Sequence, residues 1–344
     1  MLKRVEHFFD NEYLLSLFKR KLPEFYPSFP KVKDFVIYHH KKNIGEKSYH
    51  LVLEYRLTLA NDAGQTKEIP VFCAAHSSEP REHFFFALKF LWQHGFRNSE
   101  LTIPRPLFFS TYLNGVFYEG AEGNNLHHYI FQQNKTEINK IVSQAARWFA
   151  KLHTLAMSPK EISFPSGFMA DVVPGLAKVY SEINRKHPHY LPLYHRLYDE
   201  LLKREQAFRD NPKDLCLVHG DAHSDNIIKT SQDKIALIDL NDLSWGDPAR
   251  DLGCFLEQLE YMTGREGLDL EYTESLKQLF LDEYFKVAKV KLDDDLKFRI
   301  DNYYNWTALR TTTYQLLSNL VKRDENKLKR IDHRLQKLKH ILNV

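Results

Sequence analysis

From Cys216 to Leu243 the chain reads CLVHGDAHSDNIIKTSQDKIALIDLNDL. Two short apolar runs, Ile227-Ile228 and Ile235 to Ile238, flank the polar turn Thr230-Ser231-Gln232-Asp233, a pattern that predicts an antiparallel hairpin. Antiparallel pairing sets the start of the first strand beside the end of the second, and those ends carry Asn226 and Asp239. An amide carbonyl and a carboxylate together suit a hard cation such as magnesium, which takes oxygen ligands and is completed by water and phosphate oxygens. Five residues before Asn226, Asp221 lies on a glycine-containing loop able to aim its carboxylate at the same spot. Phosphoryl transfer needs this set: ligands that bring in a charge-neutralising ion, and a carboxylate that orients and deprotonates the attacking hydroxyl.

The rest of the chain fixes where that segment sits. Tyr13, Leu14, Leu15, Leu17, Phe18 and Leu22 recur at helical spacing over Glu12 to Phe25. After Pro30, β-rich runs alternate with turn-rich ones through FVIYHH, YHLVLEYRLTL and IPVFCAA, predicting three consecutive antiparallel strands. One helix follows in EPREHFFFALKFLWQHG, stopped at Gly95, and then two strands separated by Asn114-Gly115, a strong hairpin signal. Beyond Gly123 the periodicity is helical: Ile138 to Leu155, a loop over 156–215 containing a helix near Leu193 to Phe208, and helices near 252–262, 272–288, 294–321 and 324–342. The expected fold class is α+β. A first lobe over 1–122 holds a leading helix, a five-stranded antiparallel sheet and one inserted helix, and a larger, mainly helical lobe covers 123–344.

Composition excludes more than it selects. Hydrophobic residues make up 43% of the 344 and charged residues 27%, which argues against disorder and against disulfide-stapled miniproteins. A net charge of +3 is too close to balance to imply a nucleic-acid or membrane partner. Cys73, Cys216 and Cys254 form no CxxC pair, so a reducing cytoplasm is the expected compartment. The N-terminal MLKRVEHFFDNEYLL does not read as a signal peptide, and no uncharged run approaches membrane-spanning length. The basic run Lys322 to His340, with Leu328, Ile331, Leu335 and Leu338 at helical spacing, is expected to be a docked helix with a solvated charged face.

The words His219-Gly220-Asp221 with Asn226, then Ile238-Asp239, then Gly246-Asp247-Pro248 with Asp251-Leu252 resemble, in order and spacing, the aminoglycoside phosphotransferase and choline kinase family. That resemblance implies a two-lobed, protein-kinase-like fold, Asp221 as catalytic base, Asn226 and Asp239 as magnesium ligands, and His219 and Asp251 as supports of the catalytic loop at 219–226. It implies ATP or GTP with Mg2+ as cofactors and a metal segment over 238–251. YEGAEGNNL at 118–126 resembles the family's inter-lobe hinge, where the backbone of Tyr118, Glu119, Gly120 and Ala121 would hold the base. AARWFAKLHTL at 145–155 resembles the helix before the substrate-lobe insertion. The loop Asn43 to Ser48, with Gly45, occupies the place of the phosphate-covering turn, although an ordinary hairpin connection explains it equally.

One departure stands out. The family's third strand presents a lysine to the phosphates, paired with a helix glutamate, and Ile69 to His76 contains none. Either another cation such as Lys47 or Lys67 substitutes, or phosphate binding is weakened, or the strand has a different register from the one read here, with Glu82 or Glu79 as the helix partner. The expected activity is transfer of the γ-phosphoryl group to a hydroxyl of a small aminoglycoside-, choline- or sugar-like acceptor, with no nucleic-acid or membrane partner. The alternative is a pseudokinase-like module that binds nucleotide or a partner without turnover. A hydrolase with His219 and His223 as a metal pair is the third reading. Outside that third reading, His223 is expected to be a solvated loop residue.

Overall fold

The computed structural model describes residues 2–46, 48–77, 81–97, 99–156, 164–172, 174–209, 215–318 and 325–344. The chain divides into two compact units, Met1–Asn124 with Ile228–Asn241, and Asn125–Ile227 with Asp242–Val344. The hairpin inside the segment read first from sequence is thus grouped with the N-terminal unit, although the chain reaches it from the second.

The first unit opens with α1 (Leu2–Glu6) and α2 (Asn11–Lys21). Asp10 caps α2 by accepting from the Tyr13 amide at 3.1 Å, and Lys19, Arg20 and Lys21 crowd its last turn, where the helix dipole favours positive charge. Next come β1 (Lys31–Ile44), β2 (Tyr49–Ala60) and β3 (Thr66–His76), then α3 (Glu82–Leu91). α3 runs into a single π-turn, Trp92–Phe96, in which Gly95 takes a φ of 96° and ends the helix. β4 (Leu101–Thr102) is followed by the hairpin of β5 (Arg105–Ser110) and β6 (Gly115–Glu119). The main sheet has the order β1-β2-β3-β6-β5 and is antiparallel throughout.

Strand alternation gives this sheet two unlike faces. Leu53, Tyr55 and Leu57 of β2, Val71 and Cys73 of β3 and Phe117 of β6 are fully buried in one apolar cluster with Leu14, Leu17 and Phe18 of α2. The Phe18 ring meets the edges of Tyr55 at 5.3 Å and Phe117 at 6.0 Å, a geometry the ring quadrupoles favour. Each such side chain contributes about 1.5–3 kcal/mol by leaving water. Residues of opposite parity, Glu54, Phe72, Ala74 and Tyr118, turn to the other face. There Phe72 pairs in register with Tyr118, and the two rings stack at 5.8 Å.

β7 (Asn124–Asn125) leads into the second unit, with α4 (Leu126–Phe131) and the long α5 (Lys135–His153), whose Ile138, Ile141, Ala145, Trp148, Phe149 and Leu152 are all fully buried. After α6 (Leu176–Lys186) and α7 (Leu191–Arg209) comes the short β8 (Cys216–Val218). α6 is a correction to the expected loop. Leu176, Val179, Tyr180 and Ile183 recur at helical spacing, with only Ile183 fully buried, and the neighbouring Pro174, Gly175 and Pro188 mask the signal. β9 (Ile227–Ser231) and β10 (Lys234–Leu237) form the hairpin, and β10 also runs parallel to β4 in a sheet of order β4-β10-β9-β7.

Back in the second unit, β11 (Ser244–Gly246) pairs antiparallel with β8. Helices α8 (Pro248–Arg265), α9 (Leu270–Ala288), α10 (Asp294–Leu317) and α11 (Glu325–Leu342) complete the chain. α11 carries most of the basic run. Its Ile331, Leu335 and Leu338 are buried, and Arg334 donates to Glu257 at 2.8 Å, so the helix is docked on its apolar stripe. No helix among the described residues is long and apolar enough to cross a membrane.

The entry to β7 depends on one glycine. Gly123 has a φ of 148°, and a Cβ there would lie 1.9 Å from the Lys229 carbonyl oxygen of β9. Gly123→Ala is therefore expected to lower unfolding free energy by about 2–3 kcal/mol, from backbone strain and overpacking together. Urea titration of the variant against wild type measures it.

Candidate active site

The loop after β8 is held from beneath by the first turn of α8. Asp251, fully buried, accepts from the His219 amide at 2.6 Å, the Gly220 amide at 2.8 Å and His153 Nε2 at 3.0 Å. Burial pushes this carboxyl up. The His153 hydrogen bond, the attraction of His153 and His219 and the Gly220 amide outweigh it and hold the group below its ordinary value. The neighbouring Arg250 donates to the Gly220 carbonyl at 3.0 Å and the Gly167 carbonyl at 2.8 Å. Gly220 itself has a φ of 84°, and a Cβ there would meet the Asp242 carbonyl at 2.5 Å. α8 begins here because Asp247 caps it, accepting from the Ala249 amide at 2.9 Å, with Pro248 in the first helical position. The Asp247 carboxylate is also paired with Arg299 at 2.5 Å.

Asp221 and Asn226 are brought together in this unit. The Asn226 amide group donates to the Asp221 carbonyl at 3.0 Å and to its carboxylate at 3.4 Å. The amide oxygen of Asn226 remains the atom suited to a cation. His219 is a core residue, its ring edge-on to Trp148 and Phe149, with Nδ1 accepting from the Asp221 amide at 3.3 Å. His223 departs from the expected solvated loop residue. Its Nδ1 accepts from the Asp225 amide at 3.2 Å, so the ring proton resides on Nε2, which lies 3.3 Å from the Asp221 carboxylate. Burial raises the Asp221 carboxyl, but the His223 hydrogen bond and the attraction of His223, His219 and Arg310 bring it down to about 2. Among the described residues no group of three or more His, Cys, Asp or Glu is arranged to hold a metal ion, so a third ligand to accompany His219 and His223 is not found there.

Asp239 belongs to the first unit, two residues past the end of β10, as Asn226 immediately precedes β9. It adopts a φ of 60°, and its carboxylate accepts from the Asn241 amide. Asn241 in turn accepts from Arg81 Nη1 at 2.6 Å. An amide oxygen, as on Asn226, and a carboxylate, as on Asp239, are each of the ligand type that a small hard cation takes along with water and phosphate oxygens.

The other sequence-predicted residues lie in the first unit. Gly45 is in the turn joining β1 to β2, where its amide donates to the Ser48 carbonyl at 2.8 Å, a hairpin connection. Glu119 accepts from the Tyr26 hydroxyl at 2.7 Å, and the Gly120 amide donates to the Pro70 carbonyl at 2.9 Å. Glu119, Gly120 and Ala121 line a cavity of 990 Å³ with Trp92, Arg105 and Lys234. On its other side Gly120 faces Phe72, whose ring would be 2.3 Å from a Cβ. β3 ends without a lysine, and Ala74 occupies the parity of Phe72. Lys67 is at the far end of β3, its ammonium over the Tyr26 ring at 5.9 Å. Glu82 is exposed, and Lys47 and Glu79 lie outside the described residues.

The model of the phosphotransferase enzyme family matches residues 56–289, well over half of the sequence. The chain belongs to that family. No curated protein matches the sequence significantly. Among solved structures it resembles an amicoumacin kinase in complex with AMP-PNP, Ca2+ and Ami, at 15% identity and a TM-score of 0.55 over 87% of each chain. A Plasmodium vivax ethanolamine kinase gives 16% and 0.55 over 95% of this chain and 87% of the other. A spectinomycin phosphotransferase in complex with ADP and spectinomycin gives 13% and 0.53 over 96% and 94%. At such identities the likeness establishes the fold, the α+β, two-lobed, protein-kinase-like architecture of the family.

The buried Asp251 generates a stability prediction. Its folded-state pKa lies below the ordinary 3.8, so its contribution is complete above that value and is lost as pH falls through the lowered one. Asp251→Ala is expected to cost about 3–5 kcal/mol at pH 7, because two backbone amides and His153 lose their acceptor. Denaturant unfolding of both proteins from pH 7 to pH 3 measures it, and the gap between them is expected to narrow toward the acid end.

Proposed function

We propose that the protein transfers the γ-phosphoryl group of ATP to a hydroxyl of a small molecule, with Asp221 facing that hydroxyl and Asn226 and Asp239 supplying oxygen ligands to a magnesium ion. The observation that carries the reading is the loop itself: an anionic Asp221, hydrogen-bonded to Asn226 and to His223, on a backbone fixed by Asp251. Family membership supports phosphoryl transfer as the reaction class. The AMP-PNP and ADP bound to the amicoumacin kinase and the spectinomycin phosphotransferase support ATP as donor, and the Ami and spectinomycin in the same two complexes support a small-molecule acceptor.

Bound magnesium would neutralise charge on the phosphate oxygens. The chain's own contribution is positional. A carboxylate held at about 2 is anionic throughout the physiological range and a weak base. It suits orientation of the acceptor hydroxyl, with the proton taken late, once the bond to the leaving phosphate oxygen has largely broken, as a loose transition state requires. His223 and Asn226 stop the Asp221 side chain from rotating away, preserving that aim.

A second reading, a nucleotide-binding module without turnover, draws on Ala74 standing on β3 in a family whose third strand presents a lysine. One set of measurements separates the two. Wild type and Asp221→Asn are assayed with ATP, magnesium and a panel of hydroxylated compounds, and nucleotide binding is followed by calorimetry. Wild type is expected to phosphorylate at least one class of acceptor, and Asp221→Asn to lose about 10²–10⁴-fold in kcat while still binding nucleotide. Equal background turnover by both proteins with every acceptor sinks the catalytic reading, and nucleotide binding indifferent to magnesium then favours the second.

A further inference from the structure

A strand lysine reaching phosphates from β3 would have to leave the sheet from the face that carries Phe72 and Ala74, because Cys73 and Ala75 point into the buried cluster. At that position the side chain is a methyl group. Three other cations along the sheet have engagements elsewhere. Arg56 donates twice to Glu54, at 2.7 and 3.0 Å, Arg105 reaches Glu119 and the Phe25 carbonyl, and Lys67 lies over Tyr26.

Arg81 is different. It stands immediately before α3, is buried to 6% exposure, and directs its guanidinium to Asn241 at 2.6 Å, whose amide in turn holds the Asp239 carboxylate. Its backbone is fixed as well. The Arg81 amide donates to Asn114 Oδ1 at 3.4 Å, and Asn114 donates to the His76 carbonyl at 2.6 Å, tying the start of α3 to the end of β3 and to the β5–β6 turn. The Tyr118 hydroxyl feels both charges: burial raises its pKa most, the Asp239 carboxylate raises it further, and Arg81 opposes them. A guanidinium and a metal-binding carboxylate are thus gathered at the end of the sheet face where the lysine is missing.

We propose that Arg81 supplies the fixed positive charge of the nucleotide-phosphate site, reaching it from the start of α3 instead of from β3. The assignment rests on the phosphotransferase reading above. Arginine suits this role because its planar guanidinium carries five N–H donors, enough for one group to serve a protein partner such as Asn241 and a phosphate oxygen together. Arg81 donates to Asn241, and Glu82, the residue after it, is exposed.

Calorimetry with wild type, Arg81→Gln and Arg81→Lys, each titrated with MgATP and separately with adenosine, tests the proposal. Arg81→Gln is expected to weaken MgATP by about tenfold to a hundredfold while leaving adenosine affinity unchanged, and Arg81→Lys to lose less. An equal loss for both ligands, or no loss for MgATP, overturns it. Should Arg81→Gln fail to unfold cooperatively, Arg81→Lys is compared with wild type instead: MgATP bound a few times more weakly with adenosine unchanged upholds the proposal, and MgATP affinity equal to wild type, or an equal loss for both ligands, overturns it. Wild type that binds neither ligand removes the phosphotransferase reading and this assignment with it, an outcome distinct from tight wild-type binding that ignores Arg81.

Discussion

The second unit is organised around a carboxylate with no contact with water. Asp251 accepts two consecutive backbone amides of the loop after β8, and His153 stabilises its charge. Without it, two buried N–H groups would lack acceptors, a penalty of about 1–3 kcal/mol each. The carboxylate is where it is because α8 starts where it does, and α8 starts at the Asp247 cap that Arg299 of α10 holds. The His-Gly-Asp word and the Gly-Asp-Pro word, well separated along the chain, are therefore two halves of one interaction. The helical scaffold sets the backbone that aims Asp221.

The first unit solves a different problem. Its sheet buries aromatic and aliphatic side chains on one face and keeps a sparse mixture of rings and charges on the other. His40 stacks on Phe72 and pairs with Glu54, and Tyr118 stacks on Phe72 from the opposite side. The β-sheet thereby presents flat aromatic surface next to charge.

The order of the longer elements was legible because each carries a local signal, whereas the short strands β4, β7, β8 and β11 carry too few residues for one. The three alternating strands, the Asn114-Gly115 turn, the periodicity of α5 and the two apolar runs of the hairpin all follow from side chains within a few residues of each other. What escaped was long-range or weakly patterned. Arg81 and Asn241 are 160 positions apart, His153 and Asp251 are 98 apart, and nothing in either neighbourhood names its partner. His223 resembles a solvated loop residue in the sequence because its partner Asp221 is two residues away on an irregular backbone, where no period predicts which side chains meet. α6 carries a local period as well, but it is short and bounded by Pro174, Gly175 and Pro188, which read as loop punctuation. In the sequence Asp247 is only part of a motif word, and its cap geometry supplies the physical cause.

The contact between Phe72 and Gly120 carries a consequence for sequence variation. A ring from β3 lies where the first side-chain carbon of the residue after β6 would be, so the two positions share one volume. A bulkier residue at 120 demands a smaller one at 72, and a smaller residue at 72 leaves a void that a side chain at 120 can fill. Across descendants of this chain the pair is expected to drift as a unit: glycine opposite an aromatic, or a side chain opposite something small, with the mixed combinations selected against.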